Sequence, residues 1–286
     1  MDPQLVEDFL RTQCQVVDGE LRNRSTGRRV SAIMPVHVLG HPVNLDALEA
    51  LAQEFGLRLL EDAAESLGAS WGERRIGNTA DIACVSLNGN KTITCGGGGM
   101  ILTNRREDAD RARYLTTQAK DDAVEYIHNE IGFNYRMTNV LAAIGLAQLE
   151  QLDGFVNRRR EIAAFYRSQL SLPGMTWHTD APGACSTSWL STVLIDPLQS
   201  GITAVQLRNQ LQQARIQTRR LWQPMHLSPA HAGCQAVVNG TADRLFAQAL
   251  SFPSTPNLQA ADLQRIVSSV MQILPAAAQV PARRAA

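Results

Sequence analysis

The sequence lacks the features that mark several specialised classes of protein. Lysine plus arginine and aspartate plus glutamate both number 27, so no excess charge would attract nucleic acid or an anionic membrane non-specifically. No apolar run approaches the ~20 residues of a membrane-spanning helix. The opening segment MDPQLVEDFL has neither the basic nor the apolar region of a signal peptide. We therefore expect a cytoplasmic globular protein that binds neither nucleic acid nor membranes.

Cysteine is also scarce. The five cysteines are scattered without any CxxC pair, at Cys14, Cys84, Cys95, Cys185 and Cys234. An odd number with wide spacing argues against a disulfide framework and against a zinc site. The pattern is typical of the reducing cytosol, and we expect no bound metal.

The first two-thirds of the chain alternates strand-like and helix-like segments. A helix that is capped by Asn44 and ended by Gly56 is predicted between the first two strands. The predicted strands are Ala32–Val38, Leu57–Leu60, Ile82–Leu87 and Met100–Thr103. Strand–helix–strand order indicates parallel pairing, because a parallel connection needs a crossover. The fold class is therefore α/β, with a mostly parallel sheet flanked by helices.

The rest of the chain predicts a smaller α+β domain. A long helical stretch, Val140–Leu170, is interrupted near Asp153-Gly154, and a segment rich in Ser, Pro and Gly follows it. We therefore place a large domain at residues 1–170, a small domain at 171–276 and a disordered tail at 277–286. Elements predicted for the small domain are the strand Ser191–Ile195, a helix with a Thr203–Gln206 capping box and the helix Leu258–Leu274.

Polar residues follow the predicted strands, and in open α/β sheets ligands bind beyond the carboxyl ends of the strands. Asp62 ends one strand, where its carboxylate could pair with a protonated pyridine nitrogen. Lys91 lies in SLNGNK, just before the glycine-rich TCGGGG, where an amine would have room to attack a cofactor aldehyde. Two plainer interpretations stay open: Lys91 is a surface lysine in a flexible loop, and Asp62 is a helix N-cap with Glu65 three residues later.

These residues belong to a longer run that resembles a known family. Glu61–Asn104 (EDAAESLGASWGERRIGNTADIACVSLNGNKTITCGGGGMILTN) is similar to the DegT/DnrJ/StrS sugar aminotransferases, as are Gly132–Leu152 and Pro35–Leu48. The resemblance implies a fold-type I enzyme that depends on pyridoxal 5′-phosphate (PLP). The runs NGNKTIT, YIHNEIGFNYRM and TRRLWQPMH look closest to the branch that aminates UDP-4-keto-6-deoxy-N-acetylhexosamines for bacillosamine and legionaminic acid synthesis.

The resemblance also implies roles for the residues nearest the cofactor. Lys91 would hold the cofactor covalently and move the proton in catalysis, and Asp62 would pair with the pyridine nitrogen. Ala64 would line one face of the ring, and Ser86 would donate to the phosphate. Glu65 stands where relatives often have Gln or His near the cofactor hydroxyl, so its role is left open.

Other residues are assigned by the same resemblance to the partner subunit and to the substrate. Asn134 would reach the phosphate in the partner subunit of a homodimer, and Arg136 would lie near the sugar nucleotide. Arg219 and His226 would contact the nucleotide. Taken alone, each residue has a plainer interpretation: Ser86 as a satisfied strand hydroxyl, Asn134 as a turn residue, Arg136 as a solvated charge and His226 as a structural histidine.

The expected reaction is the transamination of a nucleotide-linked 4-keto-6-deoxy sugar, with glutamate as amino acid donor, for surface glycan or nonulosonic acid biosynthesis. A sugar dehydratase of the same fold is disfavoured, because those relatives have His in place of Lys91. The resemblance further implies that N-terminal strands and a Gly-Thr phosphate loop are missing. The chain is then either a fragment of a longer enzyme or a short, non-catalytic remnant that acts as a dimerising module.

Overall fold

The computed structural model describes residues 1–122 and 124–278, which form two compact units. The first unit contains residues 1–156 and returns for Asp180–Trp189. The second contains Asn157–Thr179 and the described chain from Leu190 onward. Three hydrophobic clusters of buried side chains lie in the described part of the chain, two in the first unit and one in the second.

Helices and strands alternate through both units. The α-helices of the described residues are α1 (Pro3–Asp8), α2 (Leu45–Glu54), α3 (Arg106–Thr116), α4 (Asn139–Leu149), α5 (Leu152–Gln169), α6 (Pro197–Ser200), α7 (Ala204–Gln213), α8 (Thr241–Gln248) and α9 (Ala260–Ala278). The strands are β1 (Cys14–Val17), β2 (Glu20–Asn23), β3 (Ala32–Ile33), β4 (Arg58–Asp62), β5 (Ser70–Trp71), β6 (Arg74–Arg75), β7 (Ile82–Ser86), β8 (Gly99–Leu102), β9 (Met175–Trp177), β10 (Ala184–Cys185), β11 (Ser191–Ile195), β12 (Arg219–Arg220) and β13 (Ala249–Phe252). None of these helices is long and apolar enough to cross a membrane.

The main sheet of the first unit has the strand order β3-β4-β7-β8. Strands β3, β4 and β7 are parallel, and α2 provides the crossover between β3 and β4. The Asn44 side chain accepts a hydrogen bond from the Ala47 N–H (3.1 Å) at the start of α2, and Gly56 takes a left-handed φ of 64° just after its end. Both predicted helix signals are confirmed, because each is a local interaction that the sequence encodes directly.

Three features of the first unit refine the predicted elements. The strand predicted at Ala32–Val38 is reduced to Ala32–Ile33, because Pro35 has no N–H for the ladder and the chain then enters a 3₁₀ turn at Val38–Gly40. Strand β8 pairs antiparallel with β7, since a glycine-rich loop rather than a crossover helix joins them. The break between α4 and α5 lies at residues 150–151, ahead of the predicted Asp153-Gly154.

The second unit is an antiparallel sheet of order β12-β13-β11-β9 with α7, α9 and the later part of α5 against it. The predicted strand Ser191–Ile195 and the Thr203–Gln206 capping box are both confirmed. Tyr166 is fully buried in the core, where its ring stacks on Trp177 with centroids 5.9 Å apart. An α/β first unit and an α+β second unit are the fold class that the sequence predicts.

The predicted domain limits stay predictions. The compact units change over at Val156–Asn157, inside α5, and the segment Asp180–Trp189 belongs to the first unit. Of the predicted tail 277–286, residues 277 and 278 belong to α9, and the others lie outside the described residues. All five cysteines are free thiols, as predicted.

Candidate active site

The carboxyl ends of β4 and β7 meet at a cavity of about 390 Å³, a size typical of small-ligand sites. Asp62, the last residue of β4, lies opposite Cys84 in the parallel register. Asp62, Ala64 and Ser86 all line this cavity, together with Gly98 of the glycine-rich loop. The parallel register therefore brings three of the predicted site residues to one place.

The Asp62 carboxylate does not cap a helix. Its Oδ1 accepts a hydrogen bond from the Ala64 N–H at 3.0 Å, and the residues after it form turns. The N-cap interpretation of Asp62 is therefore wrong, and its carboxylate is a lining group of the cavity.

Lys91 is held between a carboxylate and an aromatic ring. Its Nζ lies 3.6 Å from Glu65 Oε1 and 4.6 Å from the centroid of the Trp189 ring. The side chain of Lys91 is 15% exposed, and that of Glu65 is 12% exposed. Trp189 is fixed in turn, because its Nε1–H donates to the Asn90 carbonyl at 2.9 Å. The interpretation of Lys91 as a surface lysine in a flexible loop is therefore wrong.

Glu65 links Lys91 to the rest of the site. Its Oε2 accepts a hydrogen bond from the Leu39 N–H at 2.8 Å. Burial raises the pKa of Glu65, the Leu39 N–H and the Lys91 ammonium oppose that rise, and the charge of Asp62 adds to it. Asp62, Glu65 and Lys91 thus form one electrostatic cluster.

Trp189 is the site residue that the sequence did not single out. It falls within the small domain predicted at residues 171–276, whereas the structure assigns it to the first unit. Its only sequence signal is a large aromatic two residues before β11, which is also typical of an ordinary core residue. Its ring is 2% exposed.

The remaining predicted residues lie elsewhere. Asn134 and Arg136 are exposed residues of the first unit, between α3 and α4. Arg219 and His226 belong to the second unit. His226 Nε2 lies 3.0 Å from Asp243 Oδ1, which favours the structural interpretation of that histidine. Their predicted roles stay predictions.

The cavity residues Asp62 and Ser86, together with Lys91 from outside the cavity lining, fit the PLP that the resemblance implies. A carboxylate suits a protonated ring nitrogen, a hydroxyl suits a phosphate oxygen and an amine suits an aldehyde, and Asp62, Ser86 and Lys91 supply these groups. By contrast, no three His, Cys, Asp or Glu side chains within residues 1–122 and 124–278 are grouped as metal ligands.

Known proteins are similar to this chain over most of its length. A model of the DegT/DnrJ/EryC1/StrS aminotransferase family matches residues 3–271. GDP-perosamine synthase of Escherichia coli O157:H7 is 35% identical over 242 residues, which cover 85% of this chain and 65% of that protein. The dTDP-3-amino-3,4,6-trideoxy-alpha-D-glucose transaminase of Streptomyces venezuelae is 34% identical over 262 residues, or 90% of this chain and 67% of that protein.

Solved structures are similar to this chain as well. The crystal structure of DesV from Streptomyces venezuelae superposes with a TM-score of 0.81 at 32% identity, and the match covers 98% of this chain and 70% of DesV. The chain spans 65% of the length of the first curated relatives that it matches. The UDP-linked branch stays a prediction, whereas the broader resemblance is confirmed: the chain belongs to the DegT/DnrJ/EryC1/StrS aminotransferase family.

Proposed function

We propose that the protein is a PLP-dependent aminotransferase that places an amino group on a nucleotide-linked keto sugar. The observation that carries the proposal is the partly buried Lys91, held by Glu65 and Trp189 in the unit whose cavity is lined by Asp62 and Ser86. PLP is the cofactor of this family. The relatives named as a perosamine synthase and a dTDP-amino sugar transaminase support the substrate class.

Bound PLP would supply an electron sink for the reaction. The chain's own residues would orient the cofactor and move protons. The Asp62 carboxylate would keep the ring nitrogen protonated, Ala64 would pack against the ring, and the Ser86 hydroxyl would donate to the phosphate. Lys91 Nζ would bond covalently to the cofactor at rest and would give and take the proton during turnover.

The finer substrate assignment is part of the proposal. The amino acceptor would be a 4-keto-6-deoxy sugar, UDP-linked according to the sequence motifs, and the donor would be glutamate. Arg136, Arg219 and His226 would bind the nucleotide. Supplying UDP-, GDP- and dTDP-linked keto sugars in turn, with mass spectrometry of the amino sugar formed, identifies the nucleotide. The cytoplasmic location also stays a prediction.

A homodimer would complete the site. Between α3 and the end of α4 the first unit exposes a run of large hydrophobic side chains, here called the apolar surface: Val124, Tyr126, Ile127, Ile131, Phe133, Tyr135, Val140, Ile144, Leu146 and Leu149. An exposed apolar surface of this extent is typical of a protein interface. Asn134 lies within it, which agrees with the prediction that Asn134 serves the cofactor of the partner subunit.

The lysine content of the chain permits a sharp test of Lys91. The sequence contains only two lysines, Lys91 and Lys120. Lys120 also lies over an aromatic ring, with its Nζ 4.5 Å from the centroid of Tyr126. We expect PLP followed by borohydride to label Lys91, as located by peptide mass spectrometry. Glutamate should change the cofactor absorbance of the wild type and of Lys120→Arg, but not of Lys91→Ala.

Two outcomes would contradict this proposal. Preferential labelling of Lys120 would show that Lys91 does not react with the cofactor. Labelling of Lys91 without any absorbance change on adding glutamate would indicate a protein that binds PLP but does not transaminate.

A further inference from the structure

Behind the proposed site, His37 and Glu61 form a pair whose side chains are both completely buried. His37 Nε2 lies 2.9 Å from Glu61 Oε2. Glu61 is the residue of β4 before Asp62, and His37 precedes the 3₁₀ turn at Val38–Gly40. Neither side chain is used by the proposed reaction.

The hydrogen bonds of the pair fix the positions of its protons. The Val43 N–H donates to His37 Nδ1 at 3.2 Å, so Nδ1 carries a lone pair and Nε2 carries the proton. The imidazole is therefore a donor to the Glu61 carboxylate. Glu61 also accepts from the N–H groups of Ala80 (3.0 Å) and Gly77 (3.2 Å).

These three donors keep a buried carboxylate charged. Burial alone would raise the pKa of Glu61, but the hydrogen bond from His37 and those from Ala80 and Gly77 lower it below its usual value. A buried charge is often no more stabilising than an apolar residue of similar volume. The stability of the unit therefore does not by itself account for this pair, and its neighbours suggest another role.

The residues around His37 contact the backbone of Asp62 and the carboxylate of Glu65. The His37 backbone N–H donates to the Asp62 carbonyl at 3.1 Å, and the Asp62 N–H donates to the Pro35 carbonyl at 2.9 Å. Two residues after His37, the Leu39 N–H donates to the Glu65 carboxylate. Leu39 has a left-handed φ of 61°, a conformation that surrounding contacts must hold in a residue of this kind.

We propose that His37 and Glu61 are positioning residues of the active site: the buried pair fixes the 37–40 turn, whose backbone holds Asp62 and places Glu65 against Lys91. The proposal rests on the proposed function for its catalytic meaning. Its physical content is a property of the chain itself, namely that breaking the pair changes the surroundings of Lys91.

The test uses the chain without cofactor and compares its two lysines. Both amines are labelled at low extent by an acylating reagent, and mass spectrometry gives the ratio of labelling at Lys91 to that at Lys120. In Glu61→Gln and His37→Gln we expect this ratio to rise about two- to fivefold, the range that corresponds to loss of one partly exposed ion pair. The rise is expected because the Lys91 ammonium loses the carboxylate that stabilises its charge. Glu65→Gln gives the labelling ratio expected when the ion pair between Lys91 and Glu65 is completely lost.

A matched control separates positioning from loss of stability. Thr192 and Ser251 form a buried hydroxyl pair in the second unit, with Oγ atoms 2.8 Å apart. Thr192→Val should lower the melting temperature and leave the labelling ratio unchanged. His37→Gln is the milder variant of the pair, because its amide N–H can still donate to Glu61, and its rise in the labelling ratio should lie at the lower end of the expected range.

Two results would overturn the proposal. One is an unchanged ratio in a folded variant of the pair. The other is failure of both variants to fold, since the pair would then hold the whole unit together rather than the site. Failure of the wild type to bind PLP would contradict the proposed function and leave the labelling result intact.

Discussion

At the scale of single residues, the pKa values of Glu61 and Glu65 are shifted in opposite directions. Glu61 accepts three hydrogen bonds that outweigh the effect of burial and lower its pKa. Glu65 accepts one from Leu39 and faces Lys91, and burial prevails and raises its pKa. A pKa that changes on folding makes the free energy of unfolding depend on pH. The contributions of Glu61 and Glu65 to that free energy should therefore change with pH in opposite directions.

For Glu61 we expect stability that is lost in acid. Its folded pKa lies below the unfolded value of about 4.3, so its contribution is present above that value and disappears as the pH falls through the folded pKa. Glu61→Gln should therefore lower the free energy of unfolding by about 2–4 kcal/mol at neutral pH. Urea titrations from neutral pH to pH 3 should show this difference shrinking in acid. A difference that does not depend on pH would contradict the assignment.

Glu65→Gln is the matched comparison, and the pH dependence expected for its effect on stability has the opposite sign. Its folded pKa lies above the unfolded value, so the stability that it contributes is present when it is protonated and lost as the pH rises through the folded pKa. Relative to the wild type, Glu65→Gln should therefore be more stable at neutral pH than in acid in the same titrations.

At the scale of elements, the 37–40 turn packs against the segment Asp180–Trp189. The Thr187 N–H donates to the Gly40 carbonyl at 3.1 Å, and the Thr187 hydroxyl donates to the Glu65 carbonyl at 3.3 Å. A Cβ on Gly40 would overlap the Thr187 hydroxyl and lie 2.8 Å from the Glu65 carbonyl oxygen. This close approach requires glycine and joins two distant stretches of chain at the site.

Gly40→Ala should therefore disturb the site beyond its backbone strain. Gly19 has the same φ of 78°, and a Cβ added there would meet nothing within 4 Å, so Gly19→Ala isolates the strain, about 1–2 kcal/mol. We expect Gly40→Ala to cost about 1–3 kcal/mol more, as overpacking does, and to weaken PLP binding in a fluorescence titration. Equal effects of the two substitutions would show that the contact with Thr187 is unimportant.

At the scale of the whole molecule, the apolar surface is the proposed interface of a homodimer. Helix α4 directs Leu141 and Gly145 toward the small cluster of Leu87, Ile93 and Cys95, whereas Ile144 and Leu146 are 46% and 59% exposed. The helix is thus apolar on more sides than its own unit covers. A second copy of the chain would remove the uncovered side from water.

A charge placed on that surface should prevent association. We expect the wild type to sediment as a dimer at micromolar concentration, and Ile144→Glu to sediment as a monomer with an unchanged circular dichroism spectrum. The control is Leu198→Glu, at a residue of the second unit that is 94% exposed and outside the apolar surface. A monomeric wild type, or a dimeric Ile144→Glu, would refute the proposed interface.

The sequence by itself determined the elements whose signals are local. The Asn44 cap, Gly56, the strand Ser191–Ile195 and the Thr203–Gln206 capping box are all as predicted, because each depends on residues within a few positions of one another. The location of the cavity also followed, since parallel strands place Asp62 and Ser86 at the same edge of a sheet.

The tertiary structure alone decided what surrounds those residues. Trp189 reaches Lys91, His37 reaches Glu61 and Thr187 reaches Gly40 across long separations in the chain, and no local pattern specifies such contacts. The direction of β8 was decided in the same way, since it depends on how the glycine-rich loop closes. Local sequence thus fixed which groups are present at the site, and long-range packing fixed the charge and hydrogen-bonding partners that set their chemistry.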